Sequence, residues 1–337
     1  YAQQWLIRRI GGSACILQSR LNSLFLGAGS TVLANGTNIA TYSLNTDGSE
    51  AFGGFGTNLL VSEYQVISDI QTGSAEFDGS DNFACALAQI RALSPNTSGI
   101  VIDGDLTEWS AQSEYDTVKR IIEQAGYSLD DFTFVMGNHE QRTDSDDYGY
   151  YRQLFCSNFG LGNVYYSKTV ADQSFIVLGP DVDTDEGWCT ATLSSAQLEW
   201  LEALLAYNQA NGIRSSVFVH WPLQDTTANT SAYSDSQQPG HNLTNGDALK
   251  SILQRYSDLA VFTGHSHCEA DCSDSSPLYV NTGSIAYIDD GDPYSTAYTG
   301  NQGWFVYTLA DRVIYKARDF ENETWLQTST SRHTSWL

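Results

Sequence analysis

Side chains that could bind metal ions or move protons recur where short apolar segments of this chain end. Five such places are Asp69-Ile70-Gln71, Gly104-Asp105, Gly137-Asn138-His139-Glu140, His220 and Gly264-His265-Ser266-His267. Imidazole nitrogens and carboxylate or amide oxygens together suit zinc, iron or manganese better than calcium or copper. Four of the 6 histidines of the chain fall in this set. The pattern therefore favours one metal-dependent active site over several unrelated surface histidines.

The elements that would position these side chains alternate between strand and helix. Buried strands are predicted at 59–68, 100–103, 132–136, 217–219 and 260–263, because each is short, apolar and rich in β-branched residues. Helices are predicted at 81–93, with Phe83, Leu87 and Ile90 on one face, and at 194–207. In layered α/β sheets, loops from several strands converge at the carboxyl edge, where ligands bind. We therefore expect the polar side chains to meet at one edge.

The ordered motifs resemble the calcineurin-like metallophosphoesterase superfamily. The resemblance runs from Asp69 through Gly104-Asp105, Gly137-Asn138-His139-Glu140 and His220 to the double histidine at 265 and 267, and Asn281-Thr282-Gly283-Ser284 resembles the family's usual sequel. It implies an α/β fold, a four-layer αββα metallophosphoesterase-like sandwich over 59–337. It also implies hydrolysis of phosphate esters, and the chain is most similar to the secreted and cyclic-nucleotide phosphodiesterase branch.

The resemblance further implies a dinuclear metal centre. Asp105 would bridge two ions of zinc, iron or manganese. One ion would be held by Asp69, Gln71 and His267, and the other by Asn138, His220 and His265. His139 would act as a catalytic group that does not bind metal, and Glu140 would orient its loop. Two such ions would lower the pKa of a shared water and clamp the phosphoryl oxygens.

Three departures from the family's patterns bear on the metal centre and on the class of enzyme. Gln71 stands where the family usually has histidine, which predicts a weaker and exchangeable first ion. The segment 104–109 lacks the arginine of phosphoprotein phosphatases, and Glu108 stands where purple acid phosphatases have a tyrosine ligand. A phosphodiesterase is therefore predicted. The alternatives are a phosphomonoesterase of the same fold or a catalytically weakened glycan-binding protein. Trp109, Trp221 and the tyrosines at 148–151 are candidates for an aromatic pocket or for ordinary packing.

Charge and length exclude other classes of function. The 337 residues include 16 Lys and Arg against 40 Asp and Glu, for a formal net charge of −24. Such a field repels nucleic-acid polymers and anionic membranes. No apolar run approaches the roughly 20 residues that span a bilayer, so no membrane anchor is expected. The expected partner is a small phosphate-ester substrate.

Cysteines and glycosylation motifs favour an extracellular setting. The 6 cysteines fit three disulfides of undetermined pairing, with Cys268 and Cys272 close enough in sequence to close a small loop. Asn-x-Ser/Thr motifs lie at Asn35, Asn96, Asn229, Asn242 and Asn322. We therefore predict a secreted glycoprotein, with free thiols as the alternative.

The first 58 residues differ in pattern from the rest. Short apolar runs at 5–7, 15–17, 24–26 and 31–33 alternate with Gly, Asn and Ser clusters. This spacing is typical of short strands and tight turns. We predict a small β-rich N-terminal appendage over 1–58, joined through the glycines at 53–56.

Overall fold

A computed structural model describes residues 5–11, 14–19, 25–26, 60–142, 147–171, 173–183, 189–227, 230, 242–288, 300–309 and 312–332. The strands, in chain order, are β1 (Trp5–Gly11), β2 (Ala14–Ser19), β3 (Phe25–Leu26), β4 (Leu60–Ile67), β5 (Ile100–Asp103), β6 (Phe132–Val135), β7 (Tyr166–Val170), β8 (Gln173–Val177), β9 (Ser215–Phe218), β10 (Leu259–Thr263), β11 (Asp271–Cys272), β12 (Leu278–Asn281), β13 (Gln302–Leu309), β14 (Arg312–Asp319) and β15 (Thr324–Arg332). The helices are α1 (Ser80–Leu93), α2 (Gln112–Gln124), α3 (Asn138–Gln141), α4 (Tyr148–Phe159), α5 (Ser195–Ala210) and α6 (Gly246–Leu253).

Two six-stranded sheets form the larger unit. The first has the order β15-β14-β13-β4-β5-β6, and the second has the order β11-β12-β10-β9-β8-β7. Strands β4, β5 and β6 pair in parallel, as do β8, β9, β10 and β12. Because parallel strands end at the same edge of a sheet, the loops after β4, β5 and β6 emerge together, as do those after β9 and β10.

Strand alternation separates three hydrophobic cores. Val101 and Phe262 belong to the core between the sheets, whereas Ile102 faces the core under α1, α2 and α4, and Val261 faces the core under α5 and α6. Successive strand side chains point to opposite faces, so each sheet supplies two cores. The layers therefore run helix, sheet, sheet, helix, and the predicted αββα sandwich is confirmed.

The two predicted helices form where the apolar spacing placed them. Phe83, Leu87 and Ile90 are buried along α1. Leu201 and Leu205 are buried along α5, whose N-cap is Ser194: its side chain accepts a hydrogen bond from the Gln197 amide. The cap satisfies one of the amides that a helix leaves unpaired at its start.

The chain divides into two compact units, one of residues 1–60 with 309–312 and one of residues 61–308 with 313–337. In the first unit, β1, β2 and β3 form an antiparallel sheet in which Ile7 pairs with Leu17. The boundary after residue 58 stays a prediction. The predicted strand at 31–33 and the glycine junction at 53–56 lie outside the described residues.

The prediction of three disulfides is wrong for the described cysteines. Cys85, Cys156, Cys189 and Cys272 are free thiols. They lie apart in the fold, on α1, on α4, in the loop before α5 and on β11. The small loop between Cys268 and Cys272 is therefore not closed, and the Cys268 thiol instead donates to the Ser266 carbonyl at 3.5 Å.

The glycosylation motifs differ in accessibility. Asn96 and Asn322 are exposed, whereas Asn242 is only 5% exposed and its side chain offers no room for a glycan. Asn35 and Asn229 lie outside the described residues.

Among the helices that the structure describes, none combines the length and the apolar character needed to cross a bilayer.

Candidate metal centre

The predicted side chains meet at the carboxyl edge of both sheets. Asp69 and Gln71 follow β4, Asp105 follows β5, Asn138 and His139 begin α3 directly after β6, His220 follows β9, and His265 and His267 follow β10. All of them are buried except His265, which is partly buried. Two groups of candidate ligands form here, and Asp105 belongs to both.

The first group brings Asp105, His220 and His265 within 4.8 Å of one another. His220 Nε2 lies 3.0 Å from Asp105 Oδ2. Asn138 joins this group, because its Oδ1 lies 2.7 Å from His265 Nδ1. The members are the residues predicted for the second ion, together with the predicted bridging carboxylate.

The second group brings Asp69, Asp105 and His267 within 4.8 Å of one another. His267 Nε2 lies 3.1 Å from Asp69 Oδ1. Gln71 adjoins the group, because its Nε2 lies 3.5 Å from His267 Nε2 and 3.3 Å from His139 Nε2. The glutamine thus reaches the place where the family pattern has histidine.

The donor set fits metal ions, and His220 shows why. Its Nδ1 donates to the Asp103 carbonyl at 2.6 Å, which leaves the lone pair on Nε2 in the neutral ring. Nε2 makes no hydrogen bond to any described residue, yet it faces Asp105 Oδ2 at 3.0 Å and Asp69 Oδ1 at 3.8 Å. Two acceptors that face each other in a buried site call for a cation between them.

The local electrostatics follow from burial and close pairing. Burial opposes the charged form of His220, but Asp105 and Asp69 outweigh it and raise the His220 pKa to about 10, so that without a metal ion a proton on Nε2 takes the place of the cation between these groups. Burial also opposes ionisation of Asp105, but His220 and His139 hold its pKa below the ordinary range. Burial and the charge of His220 lower the pKa of His265 to about 3. A neutral His265 beside ionised Asp105 has the protonation state that metal ligation requires.

The backbone at the centre is held in an uncommon conformation. Five candidate ligands have positive φ angles, namely Asp69 (56°), Gln71 (48°), Asp105 (51°), His265 (65°) and His267 (50°). Residues other than glycine enter this left-handed region at a cost, and such residues cluster at functional sites. The surrounding hydrogen bonds maintain it; for example, the His265 amide donates to Asp69 Oδ1 at 3.2 Å.

Two motif glycines allow the loops to approach closely. A Cβ on Gly137 would overlap the Asp105 carboxylate, and a Cβ on Gly264 would overlap the Ser68 hydroxyl and crowd Asp69. Only glycine leaves room for these contacts. The Gly residues of the motifs therefore act through packing against candidate ligands.

His139 lies beside the centre and outside both groups of candidate ligands. Its Nδ1 donates to the Glu108 carbonyl at 2.8 Å, and its Nε2 lies 3.9 Å from Asp105 Oδ2. Burial opposes a charged ring, but the nearby Asp105 carboxylate raises the pKa of His139 overall. The ring can therefore carry a proton next to the place where a substrate oxygen would lie.

Glu140 holds two of the ligand loops together. Its Oε2 accepts from the amides of Asp105 and Gly137, each at 3.0 Å, and its Oε1 accepts from the amide and hydroxyl of Thr107 at 2.8 and 2.7 Å. The side chain is fully buried, and burial, reinforced by the Asp105 carboxylate, raises its pKa to about 7. Its position agrees with the expectation that it orients the loop.

Sequence reasoning missed several contributors to the site. The Asp103 carbonyl fixes His220, the Tyr287 ring packs against His267 at a tilt of 48° with centroids 4.3 Å apart, and Cys189 Sγ accepts from the Asn138 side-chain amide at 3.6 Å. A backbone carbonyl carries no sequence signal, and Tyr287 and Cys189 lie outside the motifs. Trp221 is a fully buried core residue, so of its two open interpretations packing is the one observed.

The sequence was compared with families of known proteins. A model of the calcineurin-like phosphoesterase family matches residues 65–269, more than half of the chain. No curated protein matches the chain at a significant level.

Solved structures share the fold at low sequence identity. A dimetal phosphatase from Danio rerio has a TM-score of 0.59 at 16% identity, and the match covers 82% of this chain and 100% of that one. A purple acid phosphatase from yellow lupin (Lupinus luteus) seeds has a TM-score of 0.59 at 14% identity, covering 80% of this chain and 53% of that one. The GAP50 anchor of the Plasmodium inner membrane complex has a TM-score of 0.56 at 12% identity, covering 81% and 89%.

These likenesses agree on the fold, and the family match adds the chemistry. The motifs that carried the resemblance are the residues that the fold brings to one edge. The branch within the superfamily stays a prediction. The chain belongs to the calcineurin-like phosphoesterase family and is a metal-dependent phosphoester hydrolase.

Proposed function

We propose that the chain is a phosphodiesterase that acts through a dinuclear metal centre. The single observation that carries the proposal is that Asp105 belongs to two groups of candidate ligands, each within 4.8 Å. A carboxylate shared in this way suits a bridge between two ions. When bound, the ions would supply an activated water and stabilise the charge that develops on phosphorus-bound oxygens.

The side chains of the chain have separate tasks in this proposal. Asp69, Gln71 and His267 would hold one ion, Asn138, His220 and His265 would hold the other, and Asp105 would be shared between them. His139 is fixed by the Glu108 carbonyl and presents Nε2 to the substrate. From there it donates a proton to the leaving oxygen or a hydrogen bond to the transition state. The metals proposed are zinc, iron or manganese, since the donors are nitrogen and oxygen.

Charge favours a diester over a monoester as the substrate. The loop 104–109 contains no Lys or Arg, and the segment 137–142 supplies a single cation, Arg142, which lies over the Trp109 ring. A phosphodiester carries one negative charge, whereas a phosphomonoester carries close to two at neutral pH and calls for more cationic contacts. The formal net charge of −24 also disfavours nucleic-acid polymers. We therefore propose a small diester as the partner of the site.

Turnover of two chromogenic esters tests the proposal. The protein, loaded with manganese or zinc, should hydrolyse bis-p-nitrophenyl phosphate with a higher kcat/KM than p-nitrophenyl phosphate. Asp105→Asn should abolish turnover, whereas Asp116→Asn on the exposed face of α2 should not change it. A preference for the monoester would indicate a phosphomonoesterase. Absence of turnover in the fully loaded protein would contradict the proposal and favour a binding protein.

We also propose an extracellular setting for the protein. The exposed glycosylation motifs at Asn96 and Asn322 support it, whereas disulfides no longer do. Expression through the secretory pathway of a eukaryotic cell should place the protein in the medium with a mass that an N-glycosidase lowers. Asn96→Gln and Asn322→Gln should each reduce that mass difference. Retention in the cell without glycan would contradict the proposal.

A further inference from the structure

An exposed tryptophan lies in the loop after β5, which also carries Asp105. An arginine side chain packs against its ring. Trp109 is 56% exposed, although Trp residues usually bury most of their surface. The Arg142 guanidinium carbon lies 5.0 Å from the centroid of its ring. This distance is within the range of a cation–π contact. We call this pair the Trp109–Arg142 platform.

The backbone of both platform residues is tied to the site. Trp109 follows Glu108, whose carbonyl accepts from His139 Nδ1 at 2.8 Å. The Trp109 amide donates to Glu114 Oε2 at 3.0 Å. The Arg142 amide donates to the carbonyl of Asn138, a candidate metal ligand, at 3.0 Å. The platform is therefore held near the group that we assign to proton donation.

The fixed backbone and exposed ring of Trp109 indicate that this side chain serves to bind a ligand and not to stabilise the fold. Glu108 is also tied to the loop after β4, because its amide donates to the Thr72 carbonyl at 3.1 Å. A large aromatic ring that stays in water contributes little to the stability of the fold, even where its backbone is firmly held. Since a guanidinium covers one face of the ring, the exposed area lies on its other face and edges. Such a surface suits a planar aromatic group.

We infer that the Trp109–Arg142 platform binds the aromatic part of the substrate, so that the site selects phosphoesters that carry a nucleobase or another aryl group. The inference rests on the proposed function and narrows its substrate class. The phosphate occupies the centre while the planar group stacks on Trp109. The positive charge of Arg142 adds attraction for an anionic substrate in a chain that is acidic overall. Purely alkyl phosphoesters gain nothing from the indole ring.

Two ligands that differ only in the base measure this selection. Adenosine 5′-monophosphate and ribose 5-phosphate share the phosphate and the sugar, and both are titrated calorimetrically into the manganese-loaded protein. Base stacking on an aromatic side chain should make the adenosine compound bind about tenfold more tightly. Trp109→Ala should remove that difference and change the affinity for ribose 5-phosphate by less than about twofold.

Two further variants separate stacking from a loss of structure. Trp109→Phe keeps an aromatic face and should restore most of the preference. Tyr207→Ala removes a ring that is 61% exposed on α5, at the opposite end of the strands, and should leave both affinities unchanged. Equal binding of the two ligands by the wild type, or a preference that survives in Trp109→Ala, would overturn the inference.

The same samples keep the inference apart from the proposed function. Hydrolysis of bis-p-nitrophenyl phosphate by the wild type is measured in parallel. If that ester and the monoester both resist hydrolysis, the proposed function fails whatever the titrations show. If the ester is hydrolysed and the base makes no difference to binding, only the platform inference fails.

Discussion

At the scale of single residues, His139 offers the sharpest test of the chemistry. Its Nδ1 is bound to the Glu108 carbonyl, and its Nε2 lies 3.9 Å from the Asp105 carboxylate without belonging to either group of candidate ligands. His139→Ala should therefore keep two metal ions per chain and lower kcat by about 10²–10⁴. Metal content by mass spectrometry and initial rates on bis-p-nitrophenyl phosphate check this expectation. Full activity in the metal-loaded variant would refute the role of the residue.

Glu140 should act on metal affinity through the two loops that it joins. Glu140→Gln replaces one acceptor oxygen by an amide nitrogen, so that donors from Asp105 and Gly137, or from Thr107, lose their partner. Each buried donor left unpaired costs about 1–3 kcal/mol. We expect a lower Tm and a weaker affinity for manganese, measured by unfolding and by titration against a chelator.

Glu114 provides the matched comparison for Glu140. It is buried and accepts from the amides of Trp109 and Ala111 at 3.0 and 2.9 Å, but it does not contact a candidate ligand. Glu114→Gln should also lower the Tm, whereas its affinity for manganese should stay close to the wild-type value. An equal loss of affinity in both variants would mean that Glu140 contributes only to general stability.

At the scale of elements, the turn between β6 and α3 depends on a glycine. Gly137→Ala would push a methyl group into the Asp105 carboxylate. Overpacking of this kind costs about 1–3 kcal/mol, and here the strain falls on a candidate bridging ligand. We expect fewer than two metals per chain and little turnover. Gly149→Ala is the control, because a Cβ there meets nothing within 4 Å.

Strand β4 carries a buried acid whose titration should influence stability. Burial raises the pKa of Glu63 above its ordinary value of 4.5, although the Ser94 hydroxyl at 3.1 Å opposes the shift. The folded state then binds its proton more tightly than the unfolded state, so stability falls as pH rises through the folded pKa. Glu63→Gln should therefore raise the Tm at neutral pH and have little effect in acid.

Thermal unfolding at the two pH values measures the contribution of Glu63. The exposed Glu199 on α5 provides the comparison, and Glu199→Gln should leave the Tm unchanged at both. A stabilisation by Glu63→Gln that is equally large in acid would contradict the assignment, because it could not arise from ionisation.

The sequence predicted best those elements whose pattern and chemistry coincide. Strand β5 matches its predicted range 100–103, and the α1 face of Phe83, Leu87 and Ile90 is the buried one. The strand ends were recognisable because a ligand type follows each of the five apolar runs, with a glycine before it in three of them. In contrast, α2 was not predicted although Tyr115, Val118 and Ile122 are buried along it. These residues follow the i, i+3, i+7 spacing of an amphipathic helix, so α2 could have been predicted from the sequence.

Contacts made by the backbone or by residues distant in sequence could not be predicted. The carbonyls of Asp103 and Glu108 orient two histidines, and Tyr287 reaches His267 only after the chain has passed through β12. The positive φ angles at the ligands are likewise a property of tertiary structure: Asp and His are enriched at positive φ, but even these residues adopt it in only a minority of cases. The residue types of the candidate ligands could be predicted from the sequence, but the contacts and backbone angles that orient them could not.

For the molecule as a whole, the number of reactive thiols tests whether its cysteines are free or paired in disulfides. Four described cysteines are free, and of these Cys85 is exposed whereas Cys189 is buried. In the native protein we expect Cys85 to react quickly with Ellman's reagent and Cys189 slowly. After denaturation without reductant, at least four thiols per chain should react. Detection of fewer than four would show that these cysteines are paired in the protein as prepared.

The left-handed backbone at five of the candidate ligands lowers the stability of the folded state at the positions that catalysis requires. Each such residue costs on the order of 1 kcal/mol relative to glycine. A descendant freed from selection for turnover could replace these positions one by one by glycine and become more robust to heat. The carboxylates of Asp69 and Asp105 also accept the amides of His265 and His139, so the relief of strain would be offset at these two positions and would be largest where the ligand side chain holds no backbone amide.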